Sequence, residues 1–222
     1  MEAVKSFSSE QNKVLSQTYG LLSITLIWSA IVAFLSIQMS VSSMFQSVGM
    51  VGFFVFIGVY FAVLFAIEKT KNSGWGIFWT FVFTGLLGFF ISPLVEYAFA
   101  SGSGDAVFMA LGGTGIIFLL MSAYGKTTKK DLSSWGKLIT FGLIGAFIVS
   151  ILNVVFFQIP VLALVVSTVF AVLSAMLISY QIQAIVSGGE RNYVTATVTL
   201  FVALYNIFSW LLQIILSFSG EE

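Results

Sequence analysis

The chain has 222 residues, of which 59% are hydrophobic and only 8% are charged. Soluble domains average about 25% charged and 45–50% apolar residues, so the composition excludes a soluble protein and predicts an integral membrane protein. The absence of Cys and His excludes thiol catalysis, disulfide frameworks, Cys/His metal sites and imidazole bases. Lys and Arg balance Asp and Glu at nine each, which gives no indication of a nucleic-acid partner. We therefore expect no enzyme, no catalytic residues, no metal and no cofactor.

Seven apolar stretches are each long enough to cross a bilayer, which needs about 20 apolar residues. They cover Tyr19–Met39, Ser47–Ile67, Trp75–Val95, Ala106–Tyr124, Trp135–Phe157, Val161–Val186 and Val194–Phe218. The loops between them are short, which leaves no room for a separate soluble domain. The sequence therefore predicts an all-α polytopic membrane protein, with a tail at residues 1–17 and one seven-helix domain at residues 18–222.

The basic residues fall only in every second connection between these spans. They are Lys5 and Lys13, Lys69 and Lys71, Lys126, Lys129, Lys130 and Lys137, and Arg191. Because basic residues concentrate in cytoplasmic loops, this placement predicts a cytoplasmic N-terminus and an external C-terminus. An even number of spans would scatter the basic residues over both sides.

The first 17 residues are mixed polar and charged, and they lack the apolar core and cleavage pattern of a signal peptide. Such a composition cannot bury enough surface to order itself, so it predicts a flexible segment. One interpretation is a cytoplasmic handle that a partner protein grasps, and the other is an inert leader that carries positive charge. The residues available for partner binding are Glu2, Lys5, Glu10, Asn12 and Lys13.

The last span carries small and polar residues along one helical face. They are Asn192, Ala196, Thr199, Ala203, Asn206, Trp210, Gln213 and Ser217, opposite an apolar face that includes Phe201 and Leu212. An unpaired amide costs free energy in hydrocarbon, so this stripe should face protein or internal water. We expect the last span to be an interior helix, and we expect its stripe to meet a similar one on the sixth span at Ser167, Ala171, Ser174, Ile178 and Gln181.

Five amide residues lie within or near the spans: Asn153, Gln181, Gln183, Asn206 and Gln213. Amides can line a path for a cation or for water, or they can hydrogen-bond between helices for about 1 kcal/mol each. The structural role is favoured, because a cation path usually contains carboxylates and the sequence places none inside these spans.

Residues Gly102-Ser103-Gly104-Asp105 have the form found around one catalytic aspartate of intramembrane aspartyl proteases. Such catalysis needs two carboxylates that share a proton, and Asp131 is predicted about 30 Å away on the opposite membrane face. A helix N-cap role for Asp105 is the simpler interpretation. Small residues four apart on most spans, such as Gly58-Ala62-Ala66 and Thr80-Thr84-Gly88-Ser92, predict close helix packing.

Several short motifs occur together in this chain. They are Gly188-Gly189-Glu190 with Asn192-Tyr193, Leu204-Tyr205-Asn206-Ile207-Phe208, Ser101-Gly102-Ser103-Gly104-Asp105, Ala110-Leu111-Gly112-Gly113-Thr114, Ser122-Ala123-Tyr124 and Thr127-Thr128-Lys129-Lys130-Asp131. In combination they resemble the Bax inhibitor-1 family, and within it the bacterial YccA branch. The likeness runs from the first span to the C-terminus. It implies a bacterial inner-membrane protein in which six helices surround a central, C-terminal seventh.

The resemblance implies two alternative functions. Members of the YccA branch are known as bound modulators of the membrane AAA protease FtsH, which engages their cytoplasmic N-terminal tail. Other members resemble calcium or cation leak channels that a pair of aspartates closes in acid. The positions that match this pair here are Gln181 and Ala203, and neither side chain can titrate. We therefore expect a membrane-embedded inhibitor of FtsH, with a channel that lacks acid gating as the alternative.

Overall fold

The computed structural model describes residues 2–219, with residues 2–8, Gln46 and Ser219 described at the backbone alone. Its helices are α1 (Glu2–Gln38), α2 (Val41–Thr70), α3 (Gly74–Ala100), α4 (Gly104–Thr127), α5 (Ser133–Leu152) with a π-helical turn at Asn153–Phe157, α6 (Pro160–Val186) and α7 (Tyr193–Ser219). Seven helices are long and apolar enough to cross a membrane. Within residues 2–219 no strand occurs. This confirms the all-α, seven-span fold class.

Residues 2–219 divide into two compact units. The α2–α3 unit consists of residues 13–102 and 192–201. The α4–α6 unit consists of residues 2–12, 103–191 and 202–219. Helices α1 and α7 therefore contribute to both units, whereas each of the other helices belongs to one unit.

In the α2–α3 unit, α3 presents small residues to α1. The side chains of Thr80, Thr84 and Ser92 are fully buried. A Cβ atom on Gly88 would lie 2.3 Å from the carbonyl oxygen of Ser29, so only glycine permits this approach of the two backbones. The indole Nε1 of Trp28 donates a hydrogen bond to the carbonyl oxygen of Phe81 at 2.9 Å. Close backbone contact therefore joins α1 and α3, as small residues at this spacing predict.

Helix α2 packs against α3 through aromatic rings instead of small residues. Phe56 stacks on Phe90 with ring centroids 3.9 Å apart, and Tyr60 lies 5.2 Å from Phe83. The predicted Gly58-Ala62-Ala66 packing stripe is wrong, because Ala62 is exposed and a Cβ on Gly58 would have no neighbour within 4 Å. Aromatic rings therefore form the contact between these two helices.

Helix α2 begins earlier than expected and contains a break. Ser40 adopts a left-handed conformation with φ of 53°, and the chain is helical from Val41. Gly49 then interrupts the helix with φ of 53° and ψ of −138°. The segment predicted as the loop Ser40–Gln46 is therefore mostly helical. Glycine makes the break possible, because it alone enters positive φ without a steric penalty.

The α4–α6 unit is held together by contacts of α6 with α4 and with α5. A Cβ on Gly125 would lie 2.4 Å from the carbonyl oxygen of Ser179, and the Ser179 hydroxyl donates to the carbonyl oxygen of Met121 at 2.8 Å. On α5, Gly142 lies against Leu173, where an added Cβ would approach Cδ1 to 2.7 Å. Glycines on α4 and α5 thus set the distance of both helices from α6.

The first helix extends through the segment for which composition predicted a flexible tail. The backbone is helical from Glu2, since residues 2–19 contain no Gly or Pro that would interrupt the backbone hydrogen bonds of the first helix. Val14 and Leu15 are buried at 8% and 7% exposure. The packed part of α1 therefore begins before residue 18.

Helix α7 is buried or half-buried along most of its length. None of residues 192–216 is exposed. The burial is not confined to the small and polar stripe, because Phe201 and Leu212 on the opposite face are 2% and 0% exposed. Residues on both faces are therefore buried, whereas the sequence pattern indicated burial of only one face. The central position of this helix remains a prediction.

Candidate functional site

The polar stripes of α6 and α7 meet within the α4–α6 unit. The Asn206 amide Nδ2 donates to the Ser174 hydroxyl at 3.1 Å, and the Ser167 hydroxyl donates to Gln213 Oε1 at 3.4 Å. The two pairs are seven residues apart on each helix, so they lie on one face of each. We call these two pairs the α6–α7 ladder. It confirms the expected meeting of the stripes at these positions.

Two further hydrogen bonds strengthen the α6–α7 ladder. The Trp210 indole Nε1 donates to the Thr168 hydroxyl at 2.8 Å, and Gln213 Nε2 donates to the Ser209 carbonyl oxygen at 3.1 Å. Sequence reasoning missed Thr168, which lies beside the α6 stripe rather than on it. An indole opposite a threonine gives no pattern that can be recognised in one helix alone.

The other two amides with hydrogen bonds hold turns together. Asn153 Oδ1 accepts from the Ile159 amide at 3.0 Å and its Nδ2 donates to the Ile159 carbonyl oxygen at 3.2 Å, which closes the α5–α6 turn. Gln183 Oε1 accepts from the Leu132 amide at 2.7 Å, and its Nε2 donates to the Lys130 carbonyl oxygen at 2.7 Å. Both side chains thus act as bidentate clamps on the backbone.

Gln181 is the exception among the five amides. Its side chain is 6% exposed, and its Nε2 has no hydrogen-bond partner. It continues the seven-residue spacing of Ser167 and Ser174 along α6. A buried donor without a partner costs free energy unless a water molecule satisfies it. Ala203, the other position that the sequence predicts to correspond to the family's aspartate pair, is fully buried.

The two aspartates lie at opposite ends of α4 and form no dyad. Asp105 is in the first turn and Asp131 follows the last, which separates them by about 36 Å at 1.5 Å per residue. The N-cap of α4 is Ser103, so the N-cap role predicted for Asp105 is wrong. A carboxylate in the first turn still interacts favourably with the helix dipole.

Asp131 forms a hydrogen-bonded turn just before α5, whose N-cap is Leu132. Its carboxylate accepts hydrogen bonds from the Ser133 amide at 2.9 Å and from the Ser133 hydroxyl at 2.8 Å. The backbone hydrogen bond, with a smaller contribution from the hydroxyl, lowers the pKa of Asp131 below its ordinary value of 3.8. Across residues 2–219, no group of three or more His, Cys, Asp or Glu residues could hold a metal ion.

Three of the candidate partner-binding residues at the N-terminus are accessible to solvent. Glu10, Asn12 and Lys13 are exposed. The side chains of Glu2 and Lys5 lie outside the part that the structure describes. Thr18 is fully buried, and its carbonyl oxygen accepts a hydrogen bond from the Thr197 hydroxyl at 3.3 Å. This contact fixes α1 to the start of α7 shortly after the exposed residues.

Comparison with known proteins assigns this architecture to a family. Residues 11–220 match the family model described as inhibitor of apoptosis-promoting Bax1. The chain belongs to this Bax inhibitor-1 family. The match covers nearly all of the first apolar helix and the whole of the other six in residues 2–219, and it confirms the resemblance noted in the sequence.

Relatives within the Bax inhibitor-1 family are similar over nearly the whole chain. The modulator of FtsH protease YccA from Escherichia coli K12 is 41% identical over 211 residues, which cover 95% of this chain and 92% of the relative. The inner membrane protein YccA from Escherichia coli O6:H1 has the same identity and coverage. An uncharacterized protein from Pseudomonas aeruginosa is 39% identical over 217 residues, covering 96% and 93% of the two chains. The seven apolar helices and these relatives support a location in the inner membrane.

Proposed function

We propose that this chain binds and inhibits the membrane protease FtsH through its N-terminal segment, residues 2–12. The similarity to a modulator of FtsH over 95% of the chain is the observation that carries the proposal. In this proposal the chain is a regulatory binding protein and carries out no chemistry of its own. Its N-terminus lies in the cytoplasm and its C-terminus on the external side, as the basic residues predict.

The length of α1 supports a segment that is accessible to a partner. Its 37 residues extend about 56 Å, whereas the hydrocarbon core of a bilayer is ~30 Å thick. In this proposal Gln38 lies at one membrane surface, and the excess length of the helix extends beyond the opposite surface. Glu10 and Asn12 are exposed there, before the buried residues Val14 and Leu15. A protease can engage such an end after local unfolding, because terminal helical turns open easily.

The packing of the domain supports resistance to extraction. An AAA protease pulls on a segment against the stability of the structure that follows it. Gly88 and Gly125 allow close backbone contacts within the two units, and the α6–α7 ladder joins the last two spans. An accessible end on a stable membrane domain can occupy the protease while the domain is degraded slowly. This combination is our explanation of inhibition.

A cation leak channel is the second candidate function. Gln181 favours it, because its buried amide nitrogen has no partner and could donate a hydrogen bond to a water molecule in such a path. The other four amides make hydrogen bonds within the domain, which supports a structural role. Any flux should change little between about pH 5 and 8, since the chain has no His to titrate there. The double variant Gln181→Asp/Ala203→Asp should close a path in acid, if the path passes these positions.

The test of FtsH inhibition is a deletion of residues 2–12. We expect the shortened protein to keep its domain folded but to lose inhibition of FtsH and to become long-lived itself. The measurement is the half-life of an independent FtsH substrate in cells that overproduce each form. Replacing residues 2–12 by a Gly/Ser segment of equal length separates the contribution of length from that of sequence.

Asn206→Leu serves as the matched control, because it changes the domain and leaves the N-terminal segment intact. It should still engage FtsH. If the shortened protein protects the independent substrate as well as the intact protein does, residues 2–12 are an inert leader. The channel would then become the better-supported function.

A further inference from the structure

The connection between α4 and α5 carries an unusual density of accessible positive charge. Lys126, Lys129, Lys130 and Lys137 are all exposed. Within residues 2–219, the ion pair found joins Lys71 to Glu68 and involves none of these four lysines. The carboxylate of Asp131 accepts from Ser133 instead. We call residues 126–137 the basic loop, and its four ammonium groups are available to an anion.

The backbone of the basic loop is fixed. The Gln183 side chain binds the Lys130 carbonyl oxygen and the Leu132 amide, both at 2.7 Å, and Leu132 is 2% exposed. The exposed lysine side chains thus project from a backbone that is anchored by hydrogen bonds. Positioning the backbone before binding reduces the entropy lost when an anion is held.

The ends of the basic loop carry an aromatic pair. Tyr124 at the end of α4 stacks on Trp135 at the start of α5, with ring centroids 6.4 Å apart and an interplanar angle of 22°. Tyr and Trp concentrate where hydrocarbon meets the polar headgroups. The loop connects the ends of two spans, so the lysines lie at the depth of lipid phosphates.

We propose that the basic loop binds the phosphate headgroup of an anionic phospholipid. The lysines supply the charge, the Gln183 clamp positions Lys129 and Lys130, and the Tyr124–Trp135 pair packs against the lipid below the headgroup. Each basic residue close to an anionic membrane surface adds to the attraction between the protein and anionic lipids. A site of this kind would make the stability of the α4–α6 unit depend on lipid composition, which goes beyond modulation of a protease.

The test uses the full-length protein in a neutral detergent, titrated with dioleoyl phosphatidylglycerol or dioleoyl phosphatidylcholine. A lipid that binds the folded state raises the thermal unfolding midpoint with concentration, which gives an apparent dissociation constant. We expect phosphatidylglycerol to raise the midpoint at concentrations where phosphatidylcholine has no effect. Equal effects of the two lipids would overturn the proposal.

Three variants assign the binding to the basic loop. Lys129→Gln/Lys130→Gln should weaken phosphatidylglycerol binding about tenfold or more. Gln183→Leu keeps every charge but releases the backbone, and it should weaken binding by a smaller factor. The matched control is Lys69→Gln/Lys71→Gln, which removes lysines that contact Phe65 and Glu68 and should leave binding unchanged. An equal loss in this control, or no loss in Gln183→Leu, would contradict the proposal.

Two further measurements separate the lipid from other anions and from variant instability. Inorganic phosphate alone should not raise the midpoint, and an increase comparable to that with lipid would indicate a free-anion site instead. For the unmodified protein, raising the salt concentration should weaken phosphatidylglycerol binding, because exposed charges are screened. Binding that does not respond to salt would overturn the proposal. Because this measurement uses the unmodified protein, it does not depend on the stability of any variant.

Discussion

Asn206 of α7 and Ser174 of α6 form a direct hydrogen bond of 3.1 Å between two membrane spans. Ser167 and Gln213 repeat the arrangement seven residues away on each helix. Two polar pairs in the same register fix the rotation of α7 against α6, because a rotation of either helix would leave four polar groups unpaired in an apolar environment. The α6–α7 ladder therefore specifies how these helices pack as well as contributing to stability.

We expect Asn206→Leu to lower the free energy of unfolding by about 1 kcal/mol, since interhelical hydrogen bonds in membranes contribute about that amount. Reversible unfolding in mixed detergent micelles measures the change. Ser174→Ala and the double variant complete a double-mutant cycle, in which the two single effects should not add. Fully additive effects would show that the two side chains do not interact.

Gly125→Ala should destabilise the domain by about 1–3 kcal/mol, because overpacking forces the backbone to move. The added Cβ would lie 2.4 Å from the Ser179 carbonyl oxygen, which is backbone and cannot rotate away. Gly115→Ala on the same helix is the matched control, because no atom lies within 4 Å of its Cβ position. The unfolding midpoint of Gly125→Ala should therefore be lower than that of Gly115→Ala. A midpoint for Gly125→Ala as high as that of the control would contradict the close approach of α4 and α6.

The Asp131 carboxylate should titrate below its ordinary pKa of 3.8, because the Ser133 amide and hydroxyl bind its charged form. Its folded pKa is depressed, so the stabilisation of the turn is present above 3.8 and is lost as the pH falls through the lower folded value. NMR titration of the Ser133 amide shift should show this transition, and Asp131→Asn should abolish it. A titration midpoint at or above pH 3.8 would contradict the hydrogen bonds from Ser133 to the Asp131 carboxylate.

Reporters fused before Met1 and after Glu222 should lie on opposite sides of the membrane. An odd number of spans requires this, and the basic residues predict that the N-terminal reporter is cytoplasmic. A phosphatase that is active only outside the cytoplasm and a fluorescent protein that matures only inside it give complementary signals. A cytoplasmic reporter after Glu222 would contradict seven crossings.

Much of this fold could be predicted from the sequence because lipid imposes a simple rule. A span must be apolar over about 20 residues, and each of the seven helices satisfies this requirement without help from its neighbours. The polar stripes on α6 and α7 could also be predicted, since Ser174 and Asn206 each belong to a set of small and polar residues that recurs with helical spacing. Contacts between residues that are far apart in the chain could not be predicted. The Gln183 clamp joins residues 51 and 53 positions apart, and nothing near Gln183 indicates its partners.

The helical state of residues 2–17 was missed for a different reason. Polar composition argues against burial, yet a helix that is already nucleated by an apolar span can extend into polar residues at little cost, because propagation is easier than nucleation. The Bax inhibitor-1 family could be recognised from the sequence only through several motifs in combination. The partner segment and the Gln181 and Ala203 positions remain predictions.

The break at Gly49 divides α2 into a short N-terminal part and a longer C-terminal part. From Met50 to Thr70 the helix is about 31 Å long at 1.5 Å per residue, which is the thickness of the hydrocarbon core. The turns before the break contribute Val41, which is buried, and Met44 and Val48, which are exposed. The uninterrupted part after Gly49 is therefore long enough to cross a bilayer by itself, and thinner bilayers would have to accommodate it by tilting it.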